Sequence, residues 1–243
     1  METKVNIIQS SFLKRDIKIN IYGHYGLVIL IFPALNGKSI EFEQNGGLAA
    51  VENLVKIGKC KVFSIDTLDS EYWYDAEVSP KAKSEFLYNF NKFVEEELVE
   101  YVFMNCGGAV PIVTAGAGFG AYLAVNTFFR RPDLFFGTIG ISGTYDLSTI
   151  TKDYFDENCY YNSPVHYLPN LNDSYWLSYI YSRRHIYLAC GRGEGEIPYH
   201  TENMGRILAD KNIRYQVEIY DENYKHDYKT WIELFKHFID TKL

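Results

Sequence analysis

Long apolar runs are missing from this chain: the longest, Leu27 to Phe32, is six residues, where a bilayer-crossing helix takes about 20. Met1 to Asp16 carries Glu2, Lys4, Lys14 and Arg15 and has no apolar stretch of signal-peptide length. Cysteine is scarce as well. The four residues at 60, 106, 159 and 190 show neither CxxC spacing nor an obvious pairing, and they read as buried thiols of a reducing compartment. Basic residues are outnumbered, 24 against 31 acidic, and the net charge of -7 argues against nucleic acid or an anionic membrane surface as partner, since both demand a basic patch. Repeats, low-complexity tracts and linkers are absent. A cytoplasmic protein with one domain over residues 1–243 is the expectation, large enough to bury a core without staples.

What the sequence does have is a central stretch, Pro111 to Asp146, around which the rest is arranged: PIVTAGAGFGAYLAVNTFFRRPDLFFGTIGISGTYD. A short apolar run ends abruptly in glycines. Apolar residues then recur at helical spacing (Phe119, Tyr122, Leu123, Val125, Phe128, Phe129) until Arg130, Arg131 and Pro132 close the segment. A second apolar run at Thr138 to Ile141 completes a strand, helix, strand unit, which implies parallel strands and a right-handed crossover. Two motifs fit its turn. Gly116-Ala117-Gly118-Phe119-Gly120 has the form of the G-x-S-x-G nucleophile elbow with glycine in the serine position, whereas Gly116-x-Gly118-x-x-Ala121 fits a dinucleotide fingerprint. The elbow is favoured: a dinucleotide loop follows the first strand and needs an acid about 20 residues on, and Thr138 to Ile141 supplies none.

The flanking segments alternate strand and helix. Strands are expected at Lys4 to Ser11, Asp16 to Tyr22, Leu27 to Phe32, Lys61 to Ile65, His185 to Cys190 and Tyr215 to Ile219. Helices are expected at Gly47 to Ile57, Ser84 to Met104, through Met204 to Leu208 and at Tyr228 to Ile239. Glu95, Glu96, Glu97 and Glu100 read as a solvated helix face. Residues 147–184 are unusually aromatic and read as an irregular insertion over the C-terminal edge of the sheet, where ligands bind in such folds. The alternation makes this an α/β protein, a three-layer sandwich with a mostly parallel sheet of about eight strands.

An α/β-hydrolase needs nucleophile, acid and histidine in that chain order, each on a loop after a strand. Position 118, Glu194 or Glu196, and His226 occupy those places, although a surface histidine before a helix would look the same in sequence. With these residues in view, the chain resembles the esterase family of α/β-hydrolases, related more distantly to esterase D, S-formylglutathione hydrolase, enterochelin esterases and mycolyltransferases. The similar stretches are Phe32-Pro33 with Asn36-Gly37, Ser64-Ile65-Asp66 through Glu71-Tyr72-Trp73-Tyr74, the elbow with Tyr122, Ala124 and Asn126, Arg131 to Phe135, Ser142 to Asp146, Tyr161 to Pro164, and His226-Asp227-Tyr228 with Trp231.

The resemblance implies an α/β-hydrolase fold, a catalytic triad, a small-molecule acyl ester as substrate, and neither cofactor nor metal. His226 matches the family's catalytic histidine, with Tyr228 where tryptophan is usual. Glu196 is the preferred acid and Glu194 the alternative. The amides of Phe119 and of Leu35, in the Ala34-Leu35 loop, would form the oxyanion hole. Trp73, Tyr74 and Tyr122 are the candidate substrate-binding side chains, and the insertion's rings would line the cleft, pack in the core or form a homo-oligomer contact.

The nucleophile position departs from the family. Glycine has no side chain, so Gly118 can neither attack an ester nor carry an acyl group. Ser39, Ser142 and Ser163 lie outside the elbow, and Cys106 precedes the strand that feeds it. Either the serine was replaced by design or the chain is a natural pseudoenzyme.

Overall fold

The computed structural model describes residues 2–34, 37–67, 72, 73 and 75–242. Its centre is an 8-stranded sheet in the order β1-β2-β4-β3-β5-β6-β7-β8. The strands are β1 (Thr3–Ser10), β2 (Arg15–Tyr22), β3 (Leu27–Phe32), β4 (Cys60–Ile65), β5 (Ile112–Ala117), β6 (Gly137–Ile141), β7 (His185–Cys190) and β8 (Gln216–Ile219). β1 and β2 form the antiparallel hairpin that opens the sheet, β2 pairs antiparallel with β4, and every later pairing is parallel.

Strand residues alternate between two cores because successive side chains leave opposite faces. Val28, Leu30 and Phe32 join the core on one face, under the helices α3 (Pro80–Lys92), α4 (Val99–Cys106), α5 (Phe119–Arg130) and α10 (Pro198–Asp210). Ile29 and Ile31 join the core on the other, under α2 (Gly47–Lys56) and the C-terminal α11 (Tyr228–Lys242). A short α1 (Glu41–Gln44) precedes α2. The mostly parallel three-layer α/β architecture expected from the sequence is therefore the architecture observed.

The long helix expected before the central stretch needs two corrections. The helix expected from Ser84 starts at Pro80, where Ser79 caps it by accepting from the Ala82 amide and proline takes the first turn. α3 also runs into α4 through a π-helical stretch, Phe93–Leu98. There the acidic run is no uniform solvated face. Three successive residues span about 200° of a helix surface, so one must turn inward. Glu95 faces Arg130 and Arg131 at 3.6 and 3.4 Å, and Glu97 accepts from the Ser10 and Ser11 hydroxyls and the Ser11 amide. Only Glu96 and Glu100 are exposed as expected.

The insertion, read as irregular, holds four short helices: α6 (Ser148–Thr151), α7 (Glu157–Tyr161), α8 (Pro164–Asn170) and α9 (Ser174–Ser182). Asp156 and Asp173 cap α7 and α9 by accepting from the amides of Cys159 and Tyr175, and Pro164 opens α8. Dense tyrosines hid the helical period, but the caps were in the sequence. All four cysteines are free; burial pushes the Cys60 and Cys190 thiols up to about 11. Among the described residues no helix is long and apolar enough to cross a membrane.

Candidate active site

β5 lies inside the sheet between β3 and β6, and its C-terminal end turns sharply at Gly118 into α5. The close approach of strand and helix accounts for the outer glycines. A Cβ on Gly116 would lie 2.3 Å from the Gly120 backbone, and one on Gly120 would lie 2.2 Å from the Phe32 carbonyl oxygen. Backbone atoms cannot step aside, so both positions demand glycine. Gly118 is different. Among the described residues, a Cβ there would meet nothing nearer than His226 Nε2 at 3.6 Å and the Trp231 ring at 3.7 Å, ordinary contact distances. Its constraint is conformational: φ 53 and ψ -122, a region costly for residues with a side chain. The amide of Gly118 donates to the Ile141 carbonyl, which ties the turn to β6. Phe119 opens α5, so its amide is among the N-terminal donors without an intrahelical acceptor.

His226 stands on the loop between β8 and α11. Its amide donates to the Glu194 carbonyl, and its ring meets the face of Trp231 edge-on, with centroids 4.9 Å apart. Nδ1 lies 3.5 Å from Glu196 Oε2, and the other oxygen, Oε1, accepts from the Ser142 hydroxyl at 2.5 Å. The Glu196 side chain is 1% exposed, whereas that of Glu194 is 83% exposed and pairs with Lys225. Glu196 is thus the acid beside the imidazole, and Glu194 points to solvent. The sequence reading left open whether His226 was a plain surface residue; its ring in fact stands between Glu196 and position 118.

Ser142 was given no role in the sequence, although its stretch was among those carrying the resemblance. It follows β6 directly, and its φ of 55 is unusual for a residue with a side chain. The backbone turn aims its hydroxyl at Glu196. Glu41, also passed over, is buried and accepts from the Ala34 amide at 2.9 Å, bracing the loop after β3. Pro33, Ala34, Tyr228 and Trp231 line a small apolar cavity of about 40 Å³ beside the elbow.

The other nucleophile candidates are accounted for elsewhere. Ser39 and Ser163 are fully buried and donate to Asn20 and to the Cys159 carbonyl, and Cys106 ends α4 before β5 begins. Leu35 and Tyr74, proposed for the oxyanion hole and the pocket wall, lie outside the described residues. Trp73 and Tyr122 do not form an open wall. Trp73 is buried against Phe119, 4.7 Å between ring centroids. Tyr122 donates its hydroxyl to the Asn162 carbonyl, and burial drives that phenol well above its ordinary range. Both are core residues that support the elbow from behind. The insertion's Tyr160, Tyr161, Tyr167 and Trp176 gather at the opposite end of α5, beside Phe129 and Arg130, and so do not cover Gly118.

Sheet order, elbow position and the loops that carry His226 and Glu196 define an α/β-hydrolase. Over residues 10–239 the sequence matches the family described as "Putative esterase", and the chain belongs to that family. No curated protein matches it by sequence. Among solved structures it is similar to a ferulic acid esterase (TM-score 0.74, 13% identity, 97% of this chain and 95% of that one). It is also similar to the ferulic acid esterase of the anaerobic fungus Anaeromyces mucronatus (TM-score 0.73, 15% identity, 99% and 90%) and to the S-formylglutathione hydrolase of Agrobacterium tumefaciens (TM-score 0.70, 12% identity, 98% and 93%). At these identities the likeness is one of fold.

Proposed function

We propose that the chain is a carboxylic-ester hydrolase by descent, acting on small acyl esters, whose nucleophile position is Gly118 and whose turnover as written is weak or nil. The observation that carries this reading is the 3.6 Å between a Cβ built on Gly118 and His226 Nε2, with Glu196 on the far side of the same imidazole. A serine at 118 would place its hydroxyl within hydrogen-bond reach of Nε2. In that form Oγ attacks the ester carbonyl carbon while its proton passes to Nε2. The amide of Phe119 stabilises the oxyanion, and the proton leaves with the alcohol as the acyl-enzyme forms. Water then attacks the acyl-enzyme by the same relay. Glu196 holds the imidazole and stabilises its charged form, and Ser142 holds Glu196. Without the serine, an oxyanion hole and binding alone retain roughly 10³-fold acceleration over water in comparable hydrolases.

Gly118 itself favours a second reading: a binding protein that uses the same cleft to recognise a ligand without converting it. Short-chain aryl esters separate the two. The parent, Gly118→Ser, and Gly118→Ser with His226→Ala are compared at equal folded fraction. The esterase reading expects a large gain in the second and its loss in the third. A Gly118→Ser protein as inactive as the parent would overturn it. The binding reading instead expects thermal stabilisation by ligand and no gain from serine.

A further inference from the structure

Tyr160, Tyr161, Tyr167 and Trp176 of the insertion gather away from the elbow, and the elbow does not account for their grouping. We propose that the insertion builds a second binding site, for a neutral oligosaccharide. A groove of about 810 Å³ opens between the insertion, α3 and the C-terminal turn of α5, within the range of ligand pockets. Gly118 caps the other end of α5, and a helix of 12 residues spans about 18 Å, so a ligand in the groove would leave the elbow free.

Six rings line the groove: Tyr88, Phe129, Tyr160, Tyr161, Tyr167 and Trp176. Asn158, Asn170, Asn172, Glu157, Asp173 and Arg130 lie among them. A pyranose has a face of C–H groups that packs on the electron-rich face of an aromatic ring. Its equatorial hydroxyls both donate and accept; an asparagine amide offers both functions in one plane, and Asn170, whose N–H groups are bonded within the groove, offers its oxygen. Among the described residues of the lining Leu171 is the one aliphatic side chain, which does not suit an acyl chain. Among the described residues of the lining Arg130 is the one cation, too few for a polyanion, and the net charge of -7 opposes one as well. Glu157 and Asp173 against Arg130 leave the lining slightly acidic, which disfavours an anionic ligand, and the asparagines among the rings suit one rich in hydroxyls.

The groove is also held in shape before any ligand arrives. Asn170 donates to the Tyr160 hydroxyl and the His166 carbonyl, and Arg130 donates to the Tyr161 carbonyl. Tyr160 and Tyr161 meet edge to face at 5.1 Å, and Tyr167 is anchored below by its hydroxyl bond to Asn126. Side chains fixed in this way lose little entropy on binding. The proposal does not depend on ester hydrolysis, since it concerns residues at the other end of α5.

The test is titration calorimetry and indole fluorescence of the full chain with maltohexaose, cellohexaose and xylohexaose. At least one is expected to bind at millimolar concentration or below and to perturb the Trp176 emission. Trp176→Ala and the rim substitution Tyr161→Ala should each weaken binding roughly tenfold or more, with folding checked by circular dichroism. His226→Ala should leave binding unchanged. Silence with all three sugars overturns the proposal, as does binding that survives both ring substitutions. Sedimentation showing that the protein self-associates, and that Tyr161→Ala or Trp176→Ala abolishes the association, would assign the groove to a second copy of the chain and also overturn it.

Discussion

At the scale of single residues, the three glycines of the elbow separate two demands that look alike in sequence. Gly116 and Gly120 are glycine because a Cβ would sit inside neighbouring backbone, while at Gly118 a Cβ meets the described residues only at ordinary contact distances and the constraint lies in its φ of 53. Gly118→Ser should therefore fold but lose about 1–3 kcal/mol, read as a lower midpoint in denaturant at unchanged m-value. Gly120→Ala should cost more and fail to give a cooperative transition. Ser142, beside Glu196, also has a positive φ. In the Gly118→Ser background, Ser142→Ala should lower kcat by roughly tenfold with little change in KM, the worth of one hydrogen bond to a charged group. Ser142→Gly should match it in kcat while relieving the φ of 55, so a stability difference between the two variants isolates the backbone contribution.

At the scale of elements, the π-helical stretch between α3 and α4 ties distant parts of the sheet's helical layer together. Glu95 reaches the end of α5 through Arg130 and Arg131, and Glu97 reaches the tip of the β1–β2 hairpin through Ser10 and Ser11. The extra residue in the turn lets neighbouring glutamates serve different elements. Glu95→Ala takes one carboxylate from two mostly covered guanidinium groups, which keep the Tyr161 carbonyl and Asp133, and should destabilise the fold by about 1 kcal/mol. Glu96→Ala removes only an exposed i,i+4 pair with Lys92 and should fall within about 0.5 kcal/mol of the parent. Chemical denaturation of both variants gives the contrast directly.

At the scale of the whole molecule, carboxylates knot the layers together and set the response to acid. For Asp156, burial pushes the carboxyl up, but the Cys159 amide, the Ser84 hydroxyl and Tyr154 outweigh it and leave it below its usual value. Asp133 is likewise pushed up by burial and brought below its usual value chiefly by Arg131, and Glu97 by Ser10 and Ser11. A carboxyl lowered in the folded state binds its proton more readily when unfolded, so its stabilisation is complete above the unfolded pKa. It is lost as pH falls below about 4 and through the folded values. Melting temperature should hold from pH 7 to about 5 and then drop steeply. Glu97→Gln and Asp156→Asn together should flatten that drop.

Local sequence patterns were enough to place the strands, their mostly parallel arrangement, the glycine turn and the chain order of the site residues. Apolar runs such as Leu27–Phe32, the glycine spacing at 116, 118 and 120, and cap residues are local features, set by sterics within a few positions. Tertiary structure decided whatever depended on the direction in which loops bring side chains back. Glu194 and Glu196 are two residues apart and equivalent as text, yet one faces water and the other lies buried against His226 and Ser142. Trp73 and Tyr122 have the aromatic character of a pocket wall, and only packing against Phe119 and Asn162 makes them core. The insertion's rings were legible as a group, but their place was not: α5 separates them from Gly118 because a helix that starts at the elbow must end at the other edge of the sheet.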